Sequence, residues 1–169
     1  MNKIYTSWHD VEHYTQDILR QLHNDSWRPD YILGITRGGL VPANLISQYL
    51  RVPMHALHVS LRDGSDPESN LWAAEDAYEG KNILIVDDIN DSGATLNWIK
   101  QDWPSGCHPN SDRWADVWGH NVRVACLFDN QASDAKVDVN YVAKTINKLD
   151  DPCWIVFPWE EWWKHGRNL

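Results

Sequence analysis

The sequence predicts an α/β protein built on an open, mostly parallel, twisted sheet flanked by helices. Three stretches carry that expectation. Residues 31–35 (YILGI), 83–86 (ILIV) and 122–128 (VRVACLF) are dominated by branched aliphatics, as strands buried on both faces would be. The first two each run into a turn of small residues and then into apolar residues at helical spacing. Repeated strand–loop–helix units place loops at the carboxyl ends of parallel strands, where such sheets bind ligand. At 169 residues the chain is expected to form one domain spanning 1–169.

Ser7, with Asp10 three residues on, reads as a variant capping box that starts the first helix. Trp8, Val11, Ile18 and Leu22 share a face of that helix, and Asn24, Asp25 and Pro29 end it. His9, His13 and His23 lie along it as surface residues without an assigned role. After the strand at 31–35 come Thr36-Arg37-Gly38-Gly39 and a helix over 41–50. Residues 54–61 (MHALHVSL) alternate as a strand. Residues 62–80 are polar, acidic and rich in Gly, Pro and Ser, hence a loop; after Arg62 they hold no basic residue before Lys81.

The central run is ILIVDDINDSGATL, residues 83–96. Its apolar strand leads to three carboxylates, Asp87, Asp88 and Asp91, then to Ser92, Gly93, Ala94 and Thr95 and a helix over 94–101. Residues 103–120 mix Pro, Gly, Ser and Asp with aromatics and read as an insertion. Cys107, His108 and His120 within it lack the paired spacing of a structural zinc site. Residues 137–142 are a further strand or edge. Residues 154–160 (WIVFPWE) form a strand end stopped by Pro158, with Trp159, Trp162 and Trp163 on a following helix face.

A net charge of −9 argues against a nucleic-acid surface, which needs a basic face. No apolar stretch approaches a membrane span, and the first residues lack the apolar core of a signal peptide. Cys107, Cys126 and Cys153, odd in number and far apart, suggest reduced thiols in a cytoplasmic protein. Eleven tryptophans imply buried aromatics or an oligomer interface, and a homodimer is expected.

The chemistry concentrates in the central run. A small-residue loop before a helix presents backbone N–H groups and hydroxyls to an anion, with the helix dipole behind them. Carboxylates beside such a cradle call for a ligand that also brings hydroxyls or a metal ion. A sugar phosphate with Mg²⁺ satisfies both.

The run resembles the phosphoribosyl-pyrophosphate (PRPP) signature of type I phosphoribosyltransferases: an apolar strand, two acids, an acid or small residue, Thr or Ser, Gly, any residue, Thr. Every position is matched, with Ser92 in the Thr/Ser slot. The segment GITRGGLVPA is similar to the pyrophosphate loop of the purine branch. The resemblance implies transfer of the phosphoribosyl group of PRPP to a purine base with release of pyrophosphate. Ser92, Gly93, Ala94 and Thr95 would cradle the 5′-phosphate, and Thr36, Arg37, Gly38 and Gly39 the pyrophosphate. Asp87 and Asp88 would take the ribose hydroxyls and help place Mg²⁺. Adjacent strand residues face opposite ways, so both acids reach the ribose only if the strand has ended before them. Asp91 would serve the purine proton as the catalytic acid–base group.

The resemblance further implies a mobile loop over 62–80, with Arg62 its one cation, and a C-terminal hood over 129–169. In that hood Trp154 would stack on the base and the backbone of Ile155 would read its edge. One departure concerns base choice. Enzymes for 6-oxopurines commonly carry a Lys just after the strand at 122–128, whereas this chain has Asp129-Asn130-Gln131, leaving Asn130 as the candidate base contact. Two alternatives stand beside the purine reading: a PRPP- or nucleotide-sensing regulator on the same fold, and a transferase for a pyrimidine or another amine.

Overall fold

The computed structural model of the chain describes residues 1–59 and 70–164. Along them run β1 (Asn2–Tyr5), α1 (Trp8–Asn24), β2 (Tyr31–Thr36), α2 (Leu40–Leu50), β3 (Met54–His58), α3 (Leu71–Tyr78), β4 (Ile83–Asn90), α4 (Ala94–Gly106), β5 (Val122–Asn130), β6 (Tyr141–Ile146) and β7 (Cys153–Val156). Five strands form a parallel sheet in the order β3-β2-β4-β5-β6. A separate parallel pair joins β1 to β7.

Alternation along the strands divides the core. Leu33, Ile35, Ile83, Ile85, Val122 and Val124 pack on one face with the buried sides of α3 and α4. Ile32, Leu84, Val86, Ala125 and Leu127 pack on the other with α1, α2 and β7. Helix α1 begins as predicted: the Asp10 N–H donates to Ser7 Oγ at 3.0 Å, and the Ser7 N–H donates to the Asp10 carboxylate at 2.8 Å. That backbone donor holds the Asp10 carboxyl below its ordinary value. Its buried face is Val11, Thr15, Ile18 and Leu22; Trp8 lies off it, half exposed, against Trp159.

Four expectations change. Residues 71–78, placed in a loop, form α3, whose Ala73, Ala74 and Ala77 are buried at helical spacing; Arg62 lies outside the described residues. Residues 103–120 are less an insertion than a wall of the core. Helix α4 runs on to Gly106, Trp103, Trp114 and Val117 are buried, and Trp103 stacks on Trp118 at 5.5 Å. Residues 141–146 complete the main sheet as β6, so the hood reduces to β7 and the turn beyond it, held by β1. Strand β1 itself was not expected. All four of its residues are exposed, and it exists because its backbone pairs with β7.

Candidate active site

The sheet splits where its winding reverses. From β2 the chain turns outward to β3, and from β4 it turns the other way to β5. The β2–β4 ladder stops at Gly34↔Val86, while β4 continues along β5 to Asn90↔Asp129. Beyond Val86, β4 has lost one neighbour, and the crevice opens beside it. This corrects the condition placed on the two acids. The strand does not end before Asp87 and Asp88, yet both line the crevice, because it lies along the vacated edge of β4 rather than on one face of the sheet.

The crevice comprises two adjoining cavities. The first, about 330 Å³, is lined by Thr36, Gly38, Asp87, Asp88, Asp91 and the loop Ser92 to Thr95. Gly93 has φ +91° and abuts Ala135, so the loop turns through a conformation that side chains disfavour and leaves no room for one. The N-cap positions of α2 and α4 are Gly39 and Gly93, which have no side chain to cap with, and the Ala94 N–H donates to Ser92 Oγ at 3.3 Å. From the other side comes the Thr36–Gly39 loop, with a cis Thr36–Arg37 peptide. Thr36 Oγ1 and His58 Nδ1 share a hydrogen bond of 2.8 Å. Gly38 presses on the Asp88 carboxylate so closely that a Cβ would overlap it. The loop and the acidic motif are thus packed as one wall. Gly39 is buried beneath the loop against the Val86 and Ile35 carbonyls, and Arg37 is exposed, lining neither cavity.

The second cavity, about 180 Å³, is lined by Trp154, Ile155, Phe157, Lys148 and Glu160, and shares Asp88, Ile89 and Asp91 with the first. Burial pushes the Glu160 carboxyl up, helped by the charge of Asp88 and opposed by the Phe157 N–H. Asn130, the candidate base contact, lines neither cavity. It is buried, accepts from the Ala132 and Lys148 N–H groups at 3.1 and 3.0 Å, and donates to the Asp91 carbonyl at 3.0 Å. It is a brace under the site. Lys148, Glu160 and His58 were not singled out from the sequence. None belongs to a motif: the fold brings Lys148 and Glu160 to the second cavity, and His58 stands behind Thr36.

A larger concavity, about 710 Å³, lies between the carboxyl ends of α1 and α2, lined by residues including Arg20, Trp27, Arg28 and Tyr49. It sits at the opposite end of the sheet from the acidic motif.

Residues 1–164 match the phosphoribosyl transferase domain family. A xanthine-guanine phosphoribosyltransferase of Idiomarina loihiensis is 24% identical over 94% of this chain and 87% of its own. Another, of Cereibacter sphaeroides, is 28% identical over 92% of this chain and 86% of its own. Among solved structures, a purine phosphoribosyltransferase from Pyrococcus horikoshii is 27% identical and superposes with a TM-score of 0.66, covering 95% of both chains. Motif, sheet order and crevice agree with that match over nearly the whole length, and the chain belongs to the phosphoribosyl transferase family.

Proposed function

We propose that the protein is a Mg²⁺-dependent purine phosphoribosyltransferase that joins a purine base to the phosphoribosyl group of PRPP and releases pyrophosphate. The observation that carries this is the shared wall. A cavity suited to phosphates and a ribose meets a smaller, aromatic-lined one across Asp88, Ile89 and Asp91. A nucleotide is that shape: phosphate and sugar on one side, base on the other, the glycosidic bond between them. The names of the relatives point to the same acceptor class.

In this reading the backbone N–H groups and hydroxyls of Ser92 to Thr95 hold the 5′-phosphate at the start of α4. Asp87 and Asp88 hold the ribose hydroxyls. The Thr36–Gly39 loop holds the pyrophosphate, with Arg37 folding over it from solvent. The new bond forms from a ring nitrogen to the anomeric carbon as the carbon–oxygen bond to pyrophosphate breaks, and Asp91, beside both cavities, takes the proton that the base gives up. Trp154 and Ile155 carry the ring. The donors fit Mg²⁺, which binds through one or two carboxylates and completes its shell with substrate phosphates and water; when bound it neutralises charge on the leaving pyrophosphate. We also propose a homodimer, since Trp8, Tyr49 and Trp72 remain exposed, which light scattering of the purified chain tests, and a cytoplasmic setting, with which the free thiols Cys107, Cys126 and Cys153 agree.

The test is pyrophosphate release from PRPP and Mg²⁺ with hypoxanthine, guanine, xanthine, adenine, orotate and uracil. Turnover is expected with purines and not with pyrimidines, and Asp91→Asn is expected to lower kcat by about 10²- to 10⁴-fold. PRPP binding without turnover of any base would instead favour a sensor, and no PRPP binding would overturn the reading.

A further inference from the structure

Resting on that purine reading, we infer that Lys148 is the residue that selects the base, by donating to an oxygen on C6 of the purine. The segment after β5, where the resemblance leads one to expect a lysine, carries Asp129, Asn130 and Gln131. The cation comes instead from the connection between β6 and β7. Lys148 is the one cation lining the second cavity among the described residues. Its Nζ is 2.9 Å from Asp91 Oδ1 and 5.5 Å from the centroid of the Trp154 ring. Its side chain is only 17% exposed, so the ammonium is directed into the cavity rather than into solvent.

Asn130 explains how a loop lysine acquires a fixed place. One buried amide accepts from the Lys148 N–H at 3.0 Å and donates to the Asp91 carbonyl at 3.0 Å. The end of β5, the acid and the β6–β7 connection are thereby locked in one arrangement. The residue standing where the lysine was expected thus holds the lysine that replaces it.

The chemistry of the ammonium sets the selection. It has three N–H donors and no acceptor, and one donor goes to Asp91. A base lying on Trp154 brings its edge to the others. The C6 oxygen of hypoxanthine, guanine or xanthine accepts from them; the C6 amino group of adenine presents N–H against N–H and leaves a charged donor unpaired in a half-closed cavity. The substrate class is therefore the 6-oxopurines. Because Asp91 is the partner when no base is present, the lysine also keeps the acid oriented before the base arrives.

The experiment measures kcat/KM for hypoxanthine, guanine and adenine, and calorimetric binding of inosine and adenosine monophosphates, in the wild type, Lys148→Met and Lys148→Arg. The wild type is expected to prefer the oxopurines. Lys148→Met is expected to lower kcat/KM for hypoxanthine about 10- to 100-fold and to collapse the hypoxanthine-to-adenine ratio, while the KM for PRPP holds. The two nucleotides would then bind alike, and Lys148→Arg would keep much of the preference. Should Lys148→Met fail to fold, the same ratio in Lys148→Gln decides. An unchanged ratio, or a wild type that prefers adenine, overturns this inference and leaves the purine reading standing. A wild type that turns over no purine overturns both.

Discussion

The two halves of the crevice are made in different ways. The walls of the larger cavity come mostly from two contiguous stretches, each a strand end, a turn of small residues and a helix start. The smaller cavity is assembled from residues at the end of β4, a lysine eighteen residues beyond β5, the face of β7 and a turn after it. Phosphate recognition needs backbone N–H groups at a helix start, which a short local sequence can specify. Base recognition needs a flat apolar surface and a directed donor, and any part of the chain that the fold brings near can supply them.

That contrast can be broken by substitution. The largest effect is expected from Gly38→Ala. Its Cβ would overlap the Asp88 carboxylate, so either the loop or the acid must move; misplacement on the order of 1 Å costs about 100-fold in kcat/KM. The loss should appear with every base, because Asp88 borders both cavities. Next comes Trp154→Ala, expected to raise the KM for the base by about 10- to 100-fold and to leave the KM for PRPP in place. A matching rise for PRPP would show that the two cavities are not separable in energy. The smallest is Ser7→Ala, which removes one partner of the capping box of α1, a residue that lines neither cavity. It should cost about 1 kcal/mol of stability by thermal or denaturant unfolding, with both KM values unchanged.

The same division explains what the sequence disclosed. Asp87, Asp88, Asp91 and Ser92 to Thr95 were legible because strand, turn and helix succeed one another and each has its own local signature. The motif names positions and not side-chain surroundings: Arg37 is exposed and lines neither cavity without a ligand, and Gly39 is packed beneath the loop. Helix α3 was hidden because its core contribution is three alanines in an acidic stretch, whose signal is spacing rather than hydrophobicity. Trp103 and Trp114 sit among Pro, Gly and Ser, a composition that reads as loop, although they are core. Asn130 and Lys148 could not be paired by inspection, since their bond joins the end of one strand to the connection beyond another and depends on β6 entering the sheet beside β5.

Strand β7 is held by β1, not by the five-stranded sheet, and its register pairs Lys3 with Trp154 and Ile4 with Ile155. The base platform is therefore tied together by the first and last strands of the described residues. Contacts between remote residues carry a large loop-closure cost and form late. During folding, the phosphate turns are expected to form as β2, β4 and their helices condense, and the base platform only after β1 and β7 meet. The same strap is expected to open first under native conditions. Amide hydrogen exchange checks this: the backbone N–H groups joining β1 and β7 should exchange ahead of those in the β4–β5 ladder, so that the protein passes through a form able to hold a sugar phosphate before it can recognise a base.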